Sequence, residues 1–225
     1  MTRPDDDLVR LLQPLATGWW GKLPTQGDFI GHGLPVPWRQ VWDDWLQRGL
    51  ALAQHRFGRV AAQQRLQSMA PWQCLVPPVT GNADPSWAGV VVPGIDRVGR
   101  GFPVLLVEGY GAEALDRAGV PALQRRALRL ADWLDQIGVQ SAPGDFAAGA
   151  LAFASEAWDG TADDAADDAP PQTVGALRAA YPAAGSFWWR PEPVGAPAAP
   201  WIDSWPPRDE LVLEWLGGAA ADPDG

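Results

Sequence analysis

WQCLVPPVTGNADPSWAGVVVPGIDRVGRGFPVLLVEGY, residues 72–110, decides the fold. Three short runs rich in β-branched and aromatic residues, WQCLVPP, WAGVVVPG and FPVLLVEGY, are separated by the turn-forming stretches TGNADPS and DRVGRG. Short apolar runs bounded by Gly, Pro, Asn and Asp read as strands. Strands in immediate succession with short connections pair as neighbours, so the stretch reads as an antiparallel meander.

Helical periods flank this centre on both sides. In PVPWRQVWDDWLQRGLALAQHRFG the residues Trp38, Val41, Trp42, Trp45, Leu46 and Leu52 form one apolar stripe. Pro37 suits a first helical turn and Gly58 an end. A second helix is expected over Val60–Met69. Downstream, Leu123, Ala127, Leu130, Leu134 and Ile137 keep the helical spacing over residues 121–137. GDFAAGALAFA and PQTVGALRAAY read as further helices, GSFWWR as a last strand, and RDELVLEWLGG as a closing helix with acids in its first turn. GWWGK, ahead of the long helix, reads as a short strand. PEPVGAPAAPWIDSWPP reads as a proline-rich surface connection. Strands in the middle with helices around them predict an α/β (α+β) fold, a single-domain layered sandwich with a mostly antiparallel sheet. The expected organisation is a flexible arm over 1–16, one domain over 17–217 with an acidic surface loop at 156–170, and a flexible tail over 218–225.

The chain has 225 residues, 47% of them apolar and 20% charged, enough for a sizeable core. A single cysteine, Cys74, excludes an internal disulfide, and its place mid-strand reads as a buried, inert thiol. With Cys74, His32 and His55 as the only soft ligands, no structural zinc site is expected, and no other cofactor is implied. The acidic start lacks the apolar core of a signal peptide, and no apolar run is long enough to span a bilayer. A soluble, cytoplasmic protein is expected. A net charge of −10 argues against nucleic acid and anionic membranes as partners.

Catalytic motifs are wanting. GWWGK lacks the P-loop spacing: Gly18 and Gly21 stand too close, and Leu23 replaces the hydroxyl residue. Gly109 and Gly111 follow a strand, but the third glycine of a dinucleotide fingerprint is missing. His55 falls on a polar helix face, and His32 between two glycines reads as a solvated or capping residue. Asp163–Asp168 lacks the glycine and terminal glutamate of a calcium loop. Fourteen tryptophans stand out instead. Tryptophan fills cores and also anchors interfaces; Trp38, Trp42 and Trp45, on one stripe, read as core anchors.

Three segments together resemble a family. GWWGKLPTQGDFIGHGLPVPWRQVWDDWLQRGL resembles the opening of the TagF/ImpM proteins associated with the bacterial type VI secretion system: aromatic-G-K-[LM]-P-x-x-G-D-F, then L-P, then W-D-x-W-L. APWQCLVPP resembles the family's P-x-W-R-F strand, with Gln73 and Cys74 where Arg and Phe are usual. GVVVPGIDRVGRGFPVLLV resembles its P-S-x-D-x-V-G-R-x-F-P stretch, with Gly94 in place of serine. The pattern falls on Gly21, Lys22, Pro24, Gly27, Asp28, Phe29, Trp42, Asp43, Trp45, Leu46, Pro93, Asp96, Gly99, Arg100, Phe102 and Pro103.

The resemblance implies a single α/β sandwich without catalytic activity. It implies an accessory regulator of secretion, typically negative and post-translational, that binds a forkhead-associated scaffold protein of the same machine. Lys22, Gly27, Asp28, Phe29, Asp96, Arg100 and Phe102 are the candidates for partner binding or for structuring the loops. Glycines and prolines fix loops, and Asp28, Asp96 and Arg100 are suited to tying loops together through charge-assisted bonds. Complementary charges, Lys22 and Arg100 against Asp28 and Asp96, lead us to expect residues 18–35 and 93–103 to meet. Two other readings stand beside the regulator: a hydrolase-like enzyme using Asp28 and Asp96 in a loop pocket, and a purely structural subunit of a secretion complex.

Overall fold

A computed structural model of the chain describes residues 13–78, 85–138, 140–156, 173–190 and 200–217. Most of the expected arm, the acidic run beyond Glu156 and the tail from 218 onward lie outside these residues. Seven strands form one antiparallel sheet in the order β2-β1-β5-β4-β3-β6-β7. They are β1 Ala16–Lys22, β2 Phe29–His32, β3 Trp72–Val76, β4 Ser86–Val92, β5 Val104–Tyr110, β6 Ser186–Trp189 and β7 Trp201–Asp203. The expected meander, β3-β4-β5, is the centre. The β1–β2 hairpin pairs onto the free side of β5 and β6–β7 onto the free side of β3, which places Leu106 beside Trp19 and Cys74 beside Trp188.

Helices cover both faces. α1 Val36–Phe57, α2 Arg59–Gln67 and α7 Glu210–Trp215 pack on one. On the other lie α3 Ala112–Arg117, α4 Val120–Trp133, α5 Pro143–Ser155 and α6 Val174–Ala180. The period-2 geometry of a strand divides each one between the two cores: Leu105 and Val107 face α1, Val104 and Leu106 face α4 and α5. Antiparallel sheets commonly leave one face wet. Here neither is wet, which is why β3, β4 and β5 read as continuous apolar runs and are buried at every residue.

The α1 face is a tryptophan layer. Trp38, Trp42 and Trp45 project from α1 as expected, Trp72 from β3, Trp87 from β4, Trp188 from β6 and Trp215 from α7. Trp42 is fully buried and stands 5.2 to 6.4 Å, ring to ring, from Trp38, Trp45, Trp188, Trp205 and Trp215. Such ring spacings add to the area each indole buries. α1 and α7 approach so closely at Gly49 that a Cβ there would strike the Val212 side chain. Gly58 separates α1 from α2 at φ 79°, a conformation suited to glycine.

The opposite core holds a charge. Glu108 of β5 is fully buried and receives Arg126 of α4 in a two-pronged pair, Nε to Oε2 at 3.0 Å and Nη2 to Oε1 at 2.6 Å. Tyr110 donates to Glu108 Oε2 at 2.6 Å, and Arg126 Nη2 also donates to the Phe153 carbonyl while its guanidinium lies over the Phe153 ring. Burial works against the charge of Arg126, but the bonds and charge of Glu108 outweigh it and raise the pKa further. Burial, then Glu108, pushes the Tyr110 hydroxyl well up.

Three readings change. β2 and β7 were not expected as strands: the expected GWWGK strand is followed by a turn and a second strand, and the proline-rich connection contains β7. Both are short edge strands amid glycine or proline, where pairing to a neighbour supplies what local preference lacks. α3 likewise went unread. The helix expected over 121–137 runs as α4 to Trp133 and continues as a wider turn over Leu134–Gly138.

Two tests follow from the core. Arg126→Leu leaves a buried carboxylate without its cation, a change that costs on the order of 3–5 kcal/mol, measured by urea denaturation. Adding Glu108→Leu should recover most of the loss; a double variant no better than the single one would show that the pair is not the cause. Burial also pushes the Cys74 thiol up to about 12, with a Gly89 backbone bond acting the other way. Alkylation at mildly alkaline pH should therefore require unfolding, and labelling of the native protein at a free-thiol rate would contradict this packing.

Candidate functional site

The two glycine-rich segments do meet, at the end of the sheet where β1 turns into β2 and β4 into β5. Asp96, 2% exposed, is the knot. Its Oδ1 accepts from the Val98 and Arg100 backbone N–H groups at 3.0 and 2.8 Å, folding residues 96–100 into a tight turn. Its Oδ2 accepts from Arg100 Nε at 2.6 Å and Lys22 Nζ at 3.1 Å. Arg100 Nη2 reaches across to the Gly27 carbonyl at 2.8 Å, and Arg97 N–H donates to the Gln26 carbonyl at 2.8 Å. From α2, Gln63 donates to the Gly99 carbonyl and accepts from Gly101 N–H.

Aromatic rings floor the knot. Phe29 stacks on Trp20 at 5.0 Å and meets Phe102 edge-on at 4.7 Å, with Lys22 Nζ 5.0 Å above the Phe29 ring. Phe102 is buried; Phe29 is 38% exposed. Gly94, which stands where the family pattern has serine, lies against Phe102 and Lys22: a Cβ there would run into the Phe102 carbonyl.

Six of the seven candidate residues thus come together: Lys22, Gly27, Phe29, Asp96, Arg100 and Phe102. Asp28 does not join. It is exposed and makes no ion pair among the described residues, because Asp96 alone takes up the facing charges of Lys22 and Arg100. The two cations also differ. The Lys22 side chain is 11% exposed and that of Arg100 62%, so Lys22 is the interior partner and Arg100 a brace at the rim. His32 stacks on Trp19 in β2, and His55 is exposed on α1.

Burial pushes the Asp96 carboxyl up, but the Arg100 backbone and side chain, Lys22 and the Val98 backbone outweigh it and hold it well below the usual carboxylate range. With four donors on its two oxygens, Asp96 is an anchor. A cleft of about 500 Å³ between the end of α2, Pro93 and the turn after α4 is lined by Ser68, Met69, Asp132 and Asp135; neither Asp28 nor Asp96 borders it. Among the described residues no group of His, Cys, Asp and Glu is arranged to hold a metal, and no helix is long and apolar enough to cross a membrane.

Sequence reasoning missed the Glu108–Arg126 pair, although an acid inside VLLVEGY called for a buried cation. It also missed Gln63, whose role depends on where α2 lands.

Fold and knot define a three-layer sandwich on an all-antiparallel sheet, with its two strand-connecting segments locked by one buried carboxylate. Residues 18–152 match the TagF N-terminal domain, described as type VI secretion system-associated. The match takes in more than half of the chain, and the chain belongs to this family. The crystal structure of PA0076 from Pseudomonas aeruginosa PAO1, at 2.05 Å resolution, aligns with 91% of this chain and 96% of its own, with a TM-score of 0.64 and 24% identity, a likeness of fold. No curated protein matches the chain in sequence.

The knot has a pH signature. A carboxyl whose pKa is lowered on folding contributes stability above its unfolded value of about 4, and that contribution is lost as pH falls through the lower folded value. Asp96→Asn should be less stable than the parent at neutral pH, with the gap closing below about pH 4. Chemical denaturation over that range measures it; a gap that does not change with pH would show that the charge contributes nothing. Arg100→Ala, at the exposed rim, should cost only about 1 kcal/mol.

Proposed function

We propose that this protein is a non-enzymatic accessory regulator of the type VI secretion system, a post-translational repressor that binds a component of the machine. Among such components we favour a forkhead-associated scaffold protein, and we place the activity in the cytoplasm. Family membership supports the link to secretion. The observation that carries the non-enzymatic part is the state of Asp96, the one buried acid of the loop pair. A general acid or base needs a free lone pair or proton and a pKa near the working pH. Asp96 has its oxygens occupied by Val98, Arg100 and Lys22 and a pKa driven the other way. Asp28 stands outside the knot, so the two acids do not form the carboxylate pair that a hydrolase reading requires. A rigid, non-reacting loop pair suits recognition.

Titration in the native host tests this. A binder removes its target in proportion to its own concentration. Secretion should fall as the protein is raised, with unchanged levels of the machine's components, and level off near one copy per target. Full repression far below that ratio would favour an enzyme, and no effect on secretion at any level would overturn the regulator reading.

A further inference from the structure

We propose that the tip of the β4–β5 connection, with the first turn of α2 and Phe29 beside it, docks an extended acidic segment of a partner protein that carries an aliphatic residue among its carboxylates. This rests on the regulator reading and adds the chemistry of what is bound.

The argument begins with what the knot holds outward. Asp96 fixes residues 97–100 from within, yet the side chains it fixes face solvent: Val98 is 67% exposed and the Arg100 side chain 62%. The Arg97 side chain is exposed and makes no hydrogen bond or ion pair with any described residue; its Nη2 lies over Gly27, 3.8 Å from where a Cβ would be. Gln63 grips Gly99 and Gly101, so Arg59 and Val60, four and three residues before it, continue the same edge, with Val60 68% exposed. Arginines alternating with exposed valines, on a turn that has already lost its freedom, form a surface for which binding needs little further ordering.

Charge selects the occupant. The chain is polarised: residues 13–138 carry twelve Lys and Arg against ten Asp and Glu, whereas residues 139–225 carry three against fourteen. The docking face lies in the first part and presents the unpaired Arg59 and Arg97 against Asp28, with Arg100, already held by Asp96, beside them. Guanidinium groups bind carboxylates through paired N–H donors, and an aliphatic side chain between such carboxylates would cover Val98 and Val60. A nucleic acid is the poorer fit, because the molecule as a whole repels polyanions.

The test uses the full chain and a synthetic peptide of interspersed Glu and Leu, with a Lys-and-Leu peptide as its counterpart, followed by fluorescence anisotropy. The Glu–Leu peptide should bind, weakening as salt is added; the Lys–Leu peptide should not. Arg97→Glu and Val98→Asp alter side chains at the surface, so melting should hold while affinity falls about tenfold or more for each. No binding, equal binding of both peptides, or binding indifferent to Arg97→Glu would overturn the proposal. So would tighter binding of an oligonucleotide at the same residues. Glu–Leu binding that appears only after residues 157–170 are removed would assign the face to the chain's own acidic run. A dimer abolished by Arg97→Glu would assign it to a second copy. In cells, a folded Arg97→Glu Val98→Asp protein that still represses stoichiometrically would sink this proposal and leave the regulator reading standing. Peptide binding intact with no effect of the parent on secretion would do the reverse.

Discussion

An antiparallel sheet covered on both faces leaves its inner strands no solvent side on which to place a polar group, and this constraint organises the molecule. β3, β4 and β5 are buried at every residue. A charged side chain that enters them must bring its partner along. Glu108 does so through Arg126 and Tyr110, and the pair fixes where α4 sits on the sheet. The ends of the strands are where polarity is allowed back, and there the fold places another buried acid, Asp96.

The tryptophans answer a problem of volume on the α1 face. Two helices crossing a twisted sheet leave gaps that aliphatic side chains fill poorly, and a broad rigid ring fills them with little loss of rotamer freedom. Trp42 is the hub because α1 passes over the middle of the sheet, where β3, β6 and α7 converge on it. The same packing sets the position of α2, since Gly58 turns the chain directly from one helix into the next. That turn carries Gln63 to the Asp96 knot. Core and surface loop are therefore linked by one rigid path, from the tryptophan layer through α2 to residues 99–101.

Much of this was legible in the sequence, for physical reasons. Periodicity exposed α1, α4 and the central meander, and the helical stripe named Trp38, Trp42 and Trp45 as core. Glycine, proline and complementary charge indicated that residues 18–35 and 93–103 would meet. Short edge strands were hidden: FIGH and WID have too few residues for a period, and their pairing is decided by the neighbouring strand. Burial sorted the charges in a way that spacing could not. Lys22 and Arg100 looked alike in sequence, and only the depth of β1 makes one interior and the other a rim. Asp28 and Asp96 looked alike too, until the turn at 96–100 wrapped its amides around one of them.

Lys22 has one more consequence. It is the chain's only lysine, and the knot draws its ammonium inside. Every strongly basic side chain left on the surface is therefore a guanidinium, whose charge does not titrate at any physiological pH. Acetylation, and the amine-directed reagents used for coupling and cross-linking, find no exposed lysine here. The positive character of this surface is thus permanent, beyond the reach of the modification by which cells most often erase it.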